Sequence, residues 1–194
     1  MLETFKNAWR IEDLRKKILY TLLMLLVYRI GTSFIPIAGM DVAAIKQTVE
    51  GSDILGFLNM ITGGSLAGFT IFAVGISPYI TASIVMQLLT FAIPALERLS
   101  KEGGEEGREK LKRITRYVGI GLALIMSIGM VMSLRSYMIT TDMLSKITMV
   151  LTLTAGACIV MWMGEKITEK GIGNGVSLII FVGIVARLPV TVWS

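Results

Sequence analysis

Residues 59–93, NMITGGSLAGFTIFAVGISPYITASIVMQLLTFAI, restrict the possible folds more than any other stretch of this chain. They are apolar almost throughout, and the run is far too long for one straight membrane span of ~20 residues. It also contains residues that a straight span avoids. Gly63, Gly64, Gly68 and Gly75 are weak helix formers, and Pro78 removes a backbone donor and clashes with the preceding turn. The run therefore reads as a short Gly-rich segment ending near Gly75, followed by a helix over 77–93. A membrane tolerates broken backbone only where protein or a water-filled cavity satisfies it. The short piece is expected inside the protein at membrane depth, away from lipid. One kinked, tilted helix with an apolar loop is the alternative these residues leave open.

With 54% hydrophobic residues and a mean hydropathy of +0.71, the chain is too apolar for an ordinary soluble domain. The apolar residues fall in long runs, so the class is all-α integral membrane. The first seventeen residues are polar and charged, and the first apolar run is long enough to span, so no cleavable signal peptide is expected. Histidine is absent and Cys158 is the single cysteine. This excludes an internal disulfide and leaves no evident catalytic, metal or cofactor site. Cys158 lies in an apolar run and reads as a buried, inert thiol.

Taken in order, residues 1–17 carry five cations, with Phe5, Ala8 and Trp9 able to share a helical face. They read as an amphipathic helix on the membrane surface or as a frayed basic tail. The 18–194 remainder forms a membrane domain with spans at about 18–36, 59–93 (broken), 117–137, 147–164 and 175–190. Arg29 lies inside the first span, and snorkelling to the surface is its default reading. Pro36 and Gly39 end that span, and 37–56 is a loop. Residues 94–116 hold seven cations and five glutamates around Gly103, Gly104 and Gly107. They read as a flexible polar hairpin, either simply solvated or docking an aqueous partner. In the third span, Gly119, Ala123 and Ser127 recur at every fourth residue, a ridge that lets another helix approach closely. In the 165–174 loop, the charges at 165–170 continue the fourth helix, Gly171 stops it, and Asn174 caps the fifth. Arg187 and Pro189 mark the end of the fifth span.

The N-terminal arm and the loops 94–116 and 165–174 together hold fourteen of the nineteen Lys and Arg. That bias places these segments, and the N-terminus, in the cytoplasm. Five is an odd number of spans, so a second such unit would insert upside down, as in inverted-repeat channels and transporters.

VYRIGTSFIPIAG, the whole of 59–89, EGREKLKRITRY and WMGEKITEKGIGNGVSLIIFVGIVARLP closely resemble SecY, the central subunit of the bacterial protein-translocation channel. The resemblance runs in order through essentially all 194 residues and covers the N-terminal half of the family. The family has ten spans in two inverted halves around a pore. The chain is accordingly expected to be part of a longer protein whose C-terminal half is missing here. The resemblance implies a passive protein-conducting channel subunit in the bacterial cell membrane and not an enzyme. The half-helix before Pro78 would be the plug, about 58–72, with Asn59, Gly63, Gly64, Ser65, Leu66 and Phe69 among its residues. The apolar pore ring maps to Ile80 and Ile84, and to Val176 and Ile180. On spacing alone these four are ordinary packing residues, and only the motif match assigns them to a pore. Thr81, Ser83 and Gln87 would line the lateral gate, through which a signal sequence reaches lipid. Arg108, Lys112 and Arg113 would be an auxiliary contact for a cytosolic partner. The implied partners are SecE, SecG, the SecA motor ATPase or the ribosome, signal peptides and unfolded preproteins, and anionic lipids.

Two rival classes are half of a secondary transporter with a midplane site at the break, and an intramembrane enzyme. The first needs polar convergence near the break, where the residues are apolar or small. The second lacks a deep carboxylate, and Ser65, Ser77 and Ser83 have no evident base.

Overall fold

A computed structural model describes the backbone of residues 11–140 and 142–193, and the side chains of 11–140 and 142–186. The helices in order are α1 (Glu12–Phe34), α2 (Val42–Glu50), α3 (Asp53–Ile61), α4 (Ser77–Ala92), α5 (Pro94–Lys101), α6 (Gly104–Ser133), α7 (Met143–Lys170) and α8 (Gly175–Trp193), with a 3₁₀ turn at Arg135–Tyr137. The surface-helix reading of residues 1–17 falls mostly outside the described residues, as do the side chains of Arg187 and Pro189. Within the described part, 12–17 are simply the first turns of α1.

Three helices, α1, α6 and α7, are long and apolar enough to cross a bilayer. The α4–α5 pair passes the same test as one broken element bent by 102°. The remaining expected span corresponds to α8, of which Gly175–Ala186, the part whose side chains are described, is apolar. Half of the apolar window of α7 is buried against 22% of that of α1, so α7 is the central post and α1 lies at the periphery. Leu22, Leu23, Leu26 and Ile30 of α1 are exposed, as are Phe91, Ile125 and Leu151. Such an outward apolar surface suits a chain surrounded by acyl tails.

The small-residue ridge of α6 is buried as its spacing predicts: Ala123 and Ser127 have no exposure, and Gly119 faces Ala82 of α4 and Met161 of α7. The ending of α7 and the start of α8 also follow the sequence. Gly171 lies just past the last turn, and Asn174 Oδ1 accepts from the Val176 and Ser177 amides at 3.0 and 3.3 Å.

Elsewhere the structure departs from the sequence reading. The loop expected over 37–56 contains α2, capped by Asp41, whose Oδ1 accepts from the amides of Ala43 and Ala44. Its Ile45 and Val49, four apart, are fully buried. An acidic cap followed by that pair was the legible signal. The supposed flexible hairpin at 94–116 is helical on both sides of a tight turn, with Pro94 in the first turn of α5 and α6 beginning at Gly104. Close backbone approach replaces flexibility there, since a Cβ on Gly107 would collide with the Leu99 carbonyl. The α8 backbone continues helical past Pro189 to Trp193. Cys158 is half-buried and not fully enclosed.

Candidate functional site

The broken element is wider than its glycines suggest. Helix α3 stops at Ile61, and residues 62–76 run through consecutive turns before α4 begins at Ser77. The expected half-helix over 58–72 is thus helical only in its first four residues. The turns require glycine where the chain enters and leaves them: φ is +67° at Gly63, +95° at Gly64 and +61° at Gly75. Phe69 also has a positive φ, +41°, and is fully buried, so surrounding contacts hold it in a conformation that L residues disfavour.

This irregular stretch lies in the core. Ser65, Leu66, Ala67, Phe69, Thr70, Phe72, Ala73, Val74 and Ile76 are all buried. Its polar backbone is satisfied by specific partners, as interior placement demands. Asn59, 1% exposed, accepts from the Ala67 amide at 2.9 Å and closes the first loop. Ser65 Oγ donates to the Thr62 carbonyl at 2.9 Å. The chain leaving α1 pairs with the break: the Ile37 amide donates to the Phe69 carbonyl and the Ile71 amide to the Ile35 carbonyl, at 2.9 and 3.1 Å. Arg29 turns inward and donates to the Gly63 carbonyl at 2.8 Å. This corrects the snorkelling reading; a carbonyl stranded by the turn offers a better partner than the membrane surface. Neighbouring helices make room with their own glycines. Phe72 sits over Gly31 and stacks on Tyr28 with ring centroids 5.8 Å apart, the Ile71 carbonyl occupies the place of a Cβ on Gly156, and Gly63 lies against Gly183 of α8. Thr70 Oγ1 is buried with no described partner.

The break leads directly into the four aliphatics of the expected pore ring. Ile80 and Ile84 on α4 and Val176 on α8 line one cavity of about 280 Å³. Ile180, one turn beyond Val176, does not line that cavity; like Ile80 and Val176 it packs against the cluster holding Phe72 and Ile76. Ile84 is half-exposed. The opposite wall of this cavity is charged. Arg116 grips Glu165 through both Nε and Nη2, tying α6 to α7, and Lys112 and Glu169 stand beside them. Beyond the apolar part of α7, the Lys166 ammonium hydrogen-bonds Glu169 at 2.6 Å and pulls its carboxyl below the usual range. Sequence reading missed Arg116, Glu165 and Glu169 as cavity residues; the Arg116–Glu165 pairing crosses 49 positions.

Of the expected partner-contact residues, Lys112 lines this cavity, whereas Arg108 and Arg113 stay on the exposed face of α6. Of the expected gate residues, Ser83 and Gln87 share a groove of about 280 Å³ with Thr90, Leu111 and Thr115, between α4 and α6. Thr81 does not join them, and its hydroxyl returns to the Ser77 carbonyl of its own helix. Among the described residues no cluster of His, Cys, Asp or Glu could hold a metal.

Three comparisons bear on this arrangement. The family model described as SecY matches residues 70–194. The chain is 45% identical over 210 aligned positions to the protein translocase subunit SecY of Streptomyces scabiei, covering 100% of this chain and 48% of that protein. It is 47% identical to the SecY of Synechocystis sp., covering 97% of this chain and 43% of the other. It therefore spans about half the length of the curated relatives it matches. Among solved structures it superposes with a TM-score of 0.65 and 22% identity on a chain of Sec61 in the canine ribosome-channel complex from the endoplasmic reticulum, covering 89% of this chain and 36% of that one. A protein-conducting channel gives the same TM-score at 21% identity. These likenesses establish the channel fold and, with the apolar helices, a multi-pass membrane protein.

Proposed function

The chain belongs to the SecY family, and on that premise we propose that it forms one wall of a membrane channel through which unfolded polypeptides pass. The observation that carries this reading is the juxtaposition of a buried, non-helical chain segment with an aliphatic lining. Residues 62–76 run into α4, and Ile80, Ile84 and Val176 then line a cavity that is charged on its other side. An aliphatic constriction offers ions no strong polar site and dewets when closed, yet it deforms around a passing chain. Ile180, one turn along the same face of α8 as Val176, would extend this lining along the pore axis. The half-exposed Ile84 marks where the second half of the whole protein would close the ring.

The stopper in this reading is α3 with its glycine turn. Residues 65–76 are fastened into the core by backbone pairing with 35–37, so they serve as the fixed base. Helix α3 exposes Ile54, Phe57 and Leu58 and is held near its C-terminal end by Asn59, Gly63 and Arg29. Ser83 and Gln87 line the seam that opens laterally; interhelical hydrogen bonds between such side chains are modest, which suits a joint that must part. Thr81 faces away from that seam and belongs to the gate only if α4 turns. The basic end, with Arg108, Lys112 and Arg113, faces the cytoplasm of a bacterial cell. There it would meet a SecA motor or a ribosome, with SecE and SecG clasping the assembled halves and signal peptides entering from the pore. No chemistry is assigned to the chain. A transporter site at the break is disfavoured because its one charge, Arg29, is already committed to the Gly63 carbonyl.

In the full-length protein, planar-bilayer conductance tests this. Ile80→Ser with Ile84→Ser should raise resting ion leak severalfold, while Thr81→Val should not. Unchanged leak in the double variant would remove these residues from the constriction.

A further inference from the structure

The end of the molecule opposite the charged loops is poor in cations, as the bias in basic residues requires. Two of the few it has, Arg135 and Lys146, border the same groove between the C-terminal end of α6 and the N-terminal end of α7. Neither makes an ion pair among the described residues, although Asp142 lies near in sequence. Lys46, at the same end, does pair, with Glu50. The groove holds about 320 Å³. Its floor is Val131 and Val150, and its flanks are Met132, Ile147 and Leu151, which are exposed at 72%, 51% and 57%. These flanks are exposed on two helices long and apolar enough to cross a membrane, which puts the groove within reach of acyl chains.

An apolar trough capped by two cations at a helix end has the polarity of a phospholipid in reverse. We propose that this groove seats one anionic phospholipid, with Arg135 and Lys146 holding its phosphate and the trough taking an acyl chain. Charge complementarity selects this occupant over a partner helix, which would leave two cations unmatched beside apolar contacts. Basic pockets between transmembrane helices hold anionic headgroups on the cytoplasmic side, and the same ion pairing operates at this opposite end. The inference needs only that the chain spans a membrane and does not depend on the channel reading.

Tryptophan quenching in vesicles tests it without any transport assay. The full-length protein carrying Met132→Trp is reconstituted in phosphatidylcholine vesicles containing a minor fraction of either bromo-acyl phosphatidylglycerol or bromo-acyl phosphatidylcholine. The extra tryptophan should be quenched more strongly by the brominated phosphatidylglycerol, with an apparent affinity about tenfold higher. In the R135Q/K146Q background that preference should vanish while quenching by phosphatidylcholine persists. Both substitutions lie at the groove mouth, and an unchanged unfolding midpoint in detergent would verify folding. Equal quenching by the two lipids in the parent, or a preference that survives R135Q/K146Q, would overturn the proposal. So would a tryptophan shielded from both lipids, which would mean a partner helix fills the groove.

Discussion

Residues 62–76 and residues 94–116 are both connections rich in glycine, and they resolve in opposite ways. The first is apolar and irregular yet buried, whereas the second is charged and helical yet exposed. The difference lies in where backbone groups find partners. Inside, each turn of the break is held by a particular group: Asn59, Arg29, Ser65 and the extended chain at 35–37. Outside, water satisfies whatever the helices leave open, and pairs such as Lys101 with Glu97 add modest support. Their glycines differ too. Gly63, Gly64 and Gly75 supply positive φ, as Gly104 does outside, but Gly107 supplies room for a carbonyl. An interior break is therefore expected to depend on single residues, and an exterior turn mostly on sterics.

The largest effect should come from filling the space the break occupies. Gly156→Val would push into the Ile71 carbonyl, and a loss of about 3 kcal/mol or failure to fold is expected, read from detergent unfolding of the full-length protein. Wild-type stability would show that the break can shift, contrary to its ties. Next comes Arg29→Gln, which shortens the donor that reaches Gly63. A loss of about 2 kcal/mol is expected, with faster amide exchange confined to 62–70. Uniform exchange changes would mean that Arg29 does not act locally. Asn59→Leu should cost about 2 kcal/mol by orphaning the Ala67 amide. In the exposed connection, Gly104→Ala meets open space and suffers only from its φ of +53°, a cost of about 1 kcal/mol. A cost matching that of Asn59→Leu would erase the contrast. The smallest effect is a pH dependence. The depressed Glu169 carboxyl contributes stability above its unfolded value, and that contribution fades as pH falls through the lower folded value. A slight acid-side drop in the unfolding midpoint should therefore appear in the parent and disappear in Lys166→Gln.

Much of this was legible in the sequence for identifiable reasons. Local rules govern helix ends, so Gly171 and Asn174 announced theirs. Four-residue spacing governs faces, so the ridge through Gly119, Ala123 and Ser127 announced its burial. Asp41 with Ile45 and Val49 announced α2 as well, but in a stretch already read as loop. The resemblance placed Ile80, Ile84, Val176 and Ile180 at a common site where spacing alone could not; the first three line one cavity and Ile180 does not. Arg29 was misread because a long cation in a span has two outlets, and choosing between them requires knowing where a carbonyl has been stranded.

The sequence by itself determined that the second apolar run breaks ahead of Pro78 and that such a break must hide from lipid. Glycine and proline act on their own backbone, and unsatisfied peptide groups are costly in hydrocarbon whatever surrounds them. Only the tertiary structure decided what hides it. Gly31, Gly156 and Gly183 vacate volume for it, and Arg29 and residues 35–37 satisfy its polar groups. Such contacts join positions tens of residues apart, and their energy depends on geometry that no local pattern encodes.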